Sequence, residues 1–264
     1  FGMGPVPAMG IEGAALASVF AQIVMLVLAL VYLYKKTIFR IYFTKKIHPQ
    51  LRWLFNMSKD FYIRTIALNL ALYQTTRMAS GLGQTVMAAH TIAMNIWLFS
   101  SFFIDGYANA GNAISGRLFG ARNFKGLNEL TRKIVWISIG IGILLGLVYL
   151  PGYSVIPGLF TNDSLVIGYF DSIFWIVILM QPINGIAFAM DGIFKGLGES
   201  KLLRNTLLIS TFLIFFPVAW ISQRLGWGFY AVWFSLAMWM LSRGGLLLLL
   251  FRRWFKPYKN NLLQ

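Results

Sequence analysis

Cysteine is missing from this chain altogether, which excludes disulfides, thiolate nucleophiles and the cysteine-bearing zinc sites and leaves the redox compartment unreadable. Histidine is nearly as scarce. The two present, His48 and His90, fall on opposite sides of the membrane topology derived below, so they share no metal and form no catalytic pair. Acids are few, 8 Asp and Glu against 23 Lys and Arg, and no Ser/Lys constellation lies at depth in the apolar segments to complete an active site. The reading is a protein without enzyme chemistry, without a cofactor and without a metal centre. A secretory signal pattern of charge, short apolar run and small-residue cleavage site is also missing.

What is present is apolar. Hydrophobic residues make up 58% of the chain and charged residues 12%, too apolar a balance for a soluble domain and typical of a polytopic membrane protein. Seven long apolar segments run from Glu12 to Tyr34, Phe61 to Ala79, Val86 to Leu118, Ile134 to Phe160, Leu165 to Phe194, Leu202 to Ser222 and Trp227 to Leu250. Each reaches the roughly 20 residues a helix needs to cross hydrocarbon.

The positive charge is ordered along the chain. Of the 23 Lys and Arg, 19 fall in four clusters occupying every second gap between these segments. The clusters are Lys35 to Lys59, Arg117 to Lys133, Lys195 to Arg204 and Arg252 to Lys259; the other gaps hold only Arg77 and Arg224. Short loops rich in Lys and Arg stay cytoplasmic, so the expected topology starts outside and ends inside. The net charge of +15 is then explained by anionic lipid at the cytoplasmic face, with Tyr42, Phe43, Trp53 and Trp254 suited to the interface. Nucleic acid is not an expected partner, because no soluble basic domain carries the charge.

The gap from Lys35 to Lys59 is the longest and divides one leading helix from a six-helix block. The fold class expected is therefore all-α, a polytopic membrane helix bundle of seven transmembrane helices. Glycines four apart, Gly116 and Gly120, Gly142 and Gly146, Gly192 and Gly196, are expected to let helix backbones approach closely in lipid.

Polar residues at depth point to a path. Ser101, Asp105, Asn109 and Asn112 share one face of the third segment, and Gln181, Asn184, Asp191 and Lys195 share one face of the fifth. A carboxylate deep in a bilayer costs roughly 2.5 to 3.5 kcal/mol, so both faces should look into the bundle or a wet cavity. Arg64 lies at similar depth and is expected to neutralise Asp105, Asp191 or both, either as a network that responds to protons or a cationic solute or, equally, as a static ion network. The candidate pathway residues are thus Arg64, Asp105, Asn109, Asn112, Gln181, Asn184 and Asp191. Pro182 removes one backbone hydrogen bond in the middle of the fifth segment, as either a cavity-lining kink or a packing kink. Arg243 is expected to snorkel to the cytoplasmic interface. Phe102, Phe103, Tyr107, Phe174, Trp175 and Phe188 offer a wall for organic cations or faces for lipid and neighbouring helices.

Several stretches resemble one family. AAHTIAMNIW (Ala88 to Trp97) and FFIDGYANAGNAISGRLFGARN (Phe102 to Asn123) look like the eighth helix of multidrug and toxic compound extrusion (MATE) transporters. LFTND (Leu159 to Asp163) and QPINGIAFAMDGIFKGLGESK (Gln181 to Lys201) resemble the end of its ninth helix and its tenth, and MGIEGAALASVFAQ (Met9 to Gln22) is similar to its sixth. The resemblance implies a division into residues 1–34 as the last helix of an N-terminal lobe, 35–59 as a basic cytoplasmic linker and 60–264 as the six-helix C-terminal lobe. A start at Phe1 on the outer side agrees with preceding helices being part of the same protein, and the N-terminal lobe is an expected partner. Asp105 followed by Gly, with Asp191, looks most like the damage-inducible-protein-F (DinF-like) branch.

The activity implied is secondary antiport across the cytoplasmic membrane, exporting organic cations and drugs by alternating access. The second segment holds no acid beyond the boundary residue Asp60, where the sodium-linked branch has a glutamate, which sets protons ahead of sodium as the coupling ion. Two alternatives stand beside it. A lipid-linked sugar flippase of the same superfamily would need several cationic residues in its cavity, and a seven-helix receptor would have a ligand-binding outer face.

Overall fold

In the computed structural model the described residues are 10–36, 50–153 and 155–258, and the chain divides into two compact units, Phe1–Leu51 and Arg52–Gln264. His48 and most of the 35–59 stretch lie outside the described residues. In the first unit the described element is α1, Gly10–Lys36, whose apolar side chains, Leu16, Phe20, Ile23 and Met25 among them, stand exposed. Its first turn carries Glu12 and its last turn Lys35 and Lys36, the order of charge that opposes the helix dipole.

The second unit is all helix among the described residues. Its elements are α2 (Leu51–Gly81), α3 (Gln84–Gly120), α4 (Phe124–Tyr149), a 3₁₀ turn (Pro157–Leu159), α5 (Ser164–Gly196), α6 (Ser200–Ile209), α7 (Phe216–Arg224) and α8 (Phe229–Phe255). A π turn, Ser210–Phe215, joins α6 to α7 into one rod, Ser200–Arg224. Pro217 explains it. Without an N–H for the carbonyl four residues back, the ladder widens, and Phe216 donates to the Thr211 carbonyl five residues back instead.

Six helices among the described residues are long and apolar enough to cross a membrane. The seventh expected crossing is α2, which has the length, 31 residues, but carries Arg52, Lys59, Asp60, Arg64 and Arg77. Two of those charges are neutralised inside the bundle. Arg204 and Ser200 of α6 both donate to the Asp60 carboxylate, the latter over 2.8 Å, and Arg64 is paired as described below. The fourth crossing is shorter than its apolar run, which extends to Phe160. Pro151 and Gly152 follow α4 at once and end it at Tyr149.

α5 is the axis of the unit, packed by α3, α4 and α8. It is apolar nearly all round, burying most of its length while Trp175 and Leu179 look outward. Small residues set the spacing. A side chain at Gly142 of α4 would collide with the backbone of Gln181 and Pro182, so α4 lies against α5 at its proline; Gly185 meets the Ser138 carbonyl in the same way. On the other side Gly192 and Gly196 sit against the carbonyls of Ala108 and Asn112 of α3. Gly120, by contrast, faces open space and sets no helix spacing. The outward faces carry Trp136, Leu144, Leu147, Leu179 and Leu213, as expected of surfaces whose solvent is lipid.

Candidate functional site

Four helices bring ionisable side chains to one place. Arg64 of α2 and Arg243 of α8 both donate through Nη2 to the same oxygen, Oδ2, of Asp191 on α5. All three are buried, at 9%, 4% and 2% relative exposure, which means that the group can exist only because its charges meet. It holds two cations and one anion. The Arg243 guanidinium also lies over the Phe188 ring, 5.4 Å from its centroid, within cation–π range.

The trio lines a cavity of about 250 Å³. Ser101 and Asp105 of α3 and Lys195 of α5 complete its polar lining, and Trp97, Phe102, Phe188 and Trp239 supply aromatic faces. Trp239 is held by a hydrogen bond of 3.0 Å from its Nε1 to Thr211 Oγ1. Thr211 belongs to the π turn, so the Pro217 irregularity orients a cavity wall. Asp105 differs from Asp191 in its surroundings. It is half-buried, and its described partner is the Asn109 amide, which donates over 3.2 Å.

The structure thus joins Arg64 and Asp191, and sets Asp105 on the same cavity. Asn109 stands exposed one turn beyond Asp105, and Asn112 is half-buried one turn further, where its carbonyl meets Gly196. Gln181 and Asn184, on either side of Pro182, are fully buried and outside the cavity lining. Gln181 donates to the Val177 carbonyl over 3.0 Å, and Asn184 donates weakly to Gln181 over 3.5 Å. Of the six aromatics considered, Phe102 and Phe188 reach the cavity; Phe174 is core, Tyr107 is half-buried against the apolar cluster around Ile193, and Phe103 and Trp175 are exposed.

Arg243 corrects the expectation from sequence. It does not extend to an interface but turns inward onto Asp191. Its position nine residues before Arg252 made snorkelling reasonable, yet α8 packs on α5 at Gly244 and Ala187, and Arg243 is itself 4% exposed. His90 lies within α3, buried against Trp233 and Phe229 of α8.

The MatE family model matches residues 61–221, more than half of the chain. The chain belongs to the MatE family. Among relatives of this MatE chain, Protein DETOXIFICATION 45, chloroplastic, of Arabidopsis thaliana is 30% identical over 88% of the chain and 41% of its own length. DNA damage-inducible protein F of Escherichia coli (strain K12) is 27% identical over 93% and 54%, and a probable multidrug resistance protein NorM of Agrobacterium fabrum is 26% identical over 89% and 53%. The MatE chain spans about half the length of the curated relatives it matches. A crystal structure of the Vibrio cholerae MATE transporter VcmN superposes with a TM-score of 0.83 at 18% identity, covering 94% of this chain and 57% of that one. It shares the fold.

Proposed function

We infer that this chain forms one lobe of a secondary active exporter that moves small organic solutes outward across the cytoplasmic membrane in exchange for protons. The single observation that supports it best, beside the family, is the cavity into which α2, α3, α5 and α8 all send polar side chains while its walls stay aromatic. Structural helix contacts need no such space. Organic cations and drugs are the substrates of this reading, with Asp105 as the carboxylate left open to them and Phe102 as an aromatic face. Asp105 is also the acid this reading assigns to the coupling step, because Asp191 is held by two guanidiniums. Sodium coupling is disfavoured by the same arrangement, since a cation entering at Asp191 would meet two positive charges. The second lobe of the cycle would come from helices homologous to the other half of the relatives' length, with basic loops cytoplasmic and the turns after α2 and α7 outside.

The test is transport by the full-length protein in proteoliposomes. Ethidium should be driven by an imposed pH gradient and not by a sodium gradient alone; ethidium that responds to neither gradient would remove the export reading. A second reading is favoured by one observation, the three cationic side chains Arg64, Lys195 and Arg243 on the cavity. They suit a substrate with phosphate groups, as a lipid-linked sugar flippase would handle, and for that reading labelled lipid-linked sugar should change leaflets in the same vesicles.

A further inference from the structure

The charges of the buried trio do not cancel. Arg64 and Arg243 contribute two positive charges and Asp191 one negative, and both hydrogen bonds fall on a single carboxylate oxygen. Each guanidinium presents several N–H donors in a rigid planar fork. Among the described residues only Nη2 of Arg64 finds an acceptor, and its Nε is buried without one. Arg243 is no better supplied. Its Nε is likewise buried and unpartnered, and its Nη1 has only the Met240 sulfur at 3.9 Å, too long and too weak an acceptor to satisfy a cation. Buried guanidinium donors without acceptors are costly, yet two guanidiniums that each keep such donors line the same cavity, beside Lys195.

We propose that the Arg64–Arg243 pair is an anion subsite of the cavity, which takes one carboxylate of the transported solute. The subsite serves the export proposed above and rests on that reading. A carboxylate is planar and accepts through two oxygens, matching the fork of a guanidinium, and it would supply the acceptors that Asp191 leaves unmet. Phe188 beneath Arg243 and the neighbouring Trp97 and Trp239 provide flat apolar surface for the body of such a solute. Asp105 on α3 then answers an amine at the solute's other end. The solutes that fit the cavity best are aromatic amino-carboxylates, carrying charge of both signs, ahead of simple organic cations.

The experiment uses the purified full-length protein and two probes that differ in one group, 4-(aminomethyl)benzoate and its methyl ester. Binding is measured by titration calorimetry in neutral detergent, and by thermal stabilisation. The acid should bind about tenfold more tightly than the ester, the order of one charge-assisted hydrogen-bonded pair. Arg243→Met should remove that preference, while Asp191→Asn, which frees both guanidiniums, should enlarge it; because Asp191→Asn weakens the fold, the acid should also raise its Tm by more than it raises the wild type's. Equal affinity for acid and ester, tighter binding of the ester, or no binding of either probe overturns the subsite. Displacement of the acid by phosphatidylglycerol would assign the donors to a lipid headgroup and overturn it as a solute site. Failure here is separable from failure of the export reading, since ethidium transport under a pH gradient is scored without the acid.

Discussion

Replacing Asp191 by Asn should destabilise this protein far more than replacing Arg243 by Met, although both remove one member of the same hydrogen-bonded group. With Asn at 191, two guanidiniums at 9% and 4% exposure face each other with a neutral amide between them. Removing one partner of a buried ion pair costs about 3 to 5 kcal/mol, and here two cations lose the same anion, so the upper end applies. With Met at 243, Asp191 keeps Arg64, the group becomes a neutral pair, and the lost charge-assisted bond of about 1.5 to 3 kcal/mol is offset by a cation that no longer has to be desolvated, several kcal/mol by itself. Its net change should stay within about 1 to 2 kcal/mol. At roughly 2 to 4 °C per kcal/mol for a chain of this size, Asp191→Asn should lower the Tm by about 10 to 20 °C and Arg243→Met by less than about 8 °C. The assay is fluorescence-detected thermal unfolding of the full-length protein in one detergent at one scan rate, because membrane proteins unfold irreversibly and the midpoint depends on rate. Equal losses, or a larger loss from Arg243→Met, would show that the trio is not carrying an uncompensated positive charge and would refute the charge accounting.

Two glycines of α5 should respond with opposite signs. Gly185→Ala drives a methyl group into the Ser138 carbonyl of α4 and should cost about 1 to 3 kcal/mol, whereas Gly168→Ala meets nothing within 4 Å and should gain about 0.5 to 1 kcal/mol from helix propensity; thermal unfolding of both variants decides it. Asp60→Asn should loosen α2 from α6 by unpairing Arg204, which is partly exposed, so the loss should be only about 1 to 2 kcal/mol. It is read as faster proteolysis or hydrogen exchange along α2. Because the chain has no cysteine, single substitutions report sidedness directly. In intact cells a membrane-impermeant maleimide should label Asn162→Cys and leave Lys125→Cys unlabelled, and the reverse pattern would invert the proposed topology.

The helices themselves were legible from the chain because the bilayer imposes a length and a polarity on each crossing, and six of seven apolar segments became spans by those criteria. α2 was legible as a helix but not as an ordinary span, since its charges are tolerable only when Asp191, Arg204 and Ser200 stand opposite them. The polar stripes on α3 and α5 were readable from a spacing of three and four residues. Their fates were not. Asp105 reaches the cavity and Asn109, on the same stripe, is exposed.

By itself the sequence determined that the protein is a bundle of apolar helices with rare acids at depth, since helical periodicity and burial in lipid act on neighbours within a few turns. The tertiary structure decided which charges meet. Asp191 lies 127 residues from Arg64 and 52 from Arg243, and no local spacing encodes such a meeting. It follows from how α3, α4 and α8 pack about α5, with close approaches at Gly185 and Gly192 setting the spacing of α4 and α3.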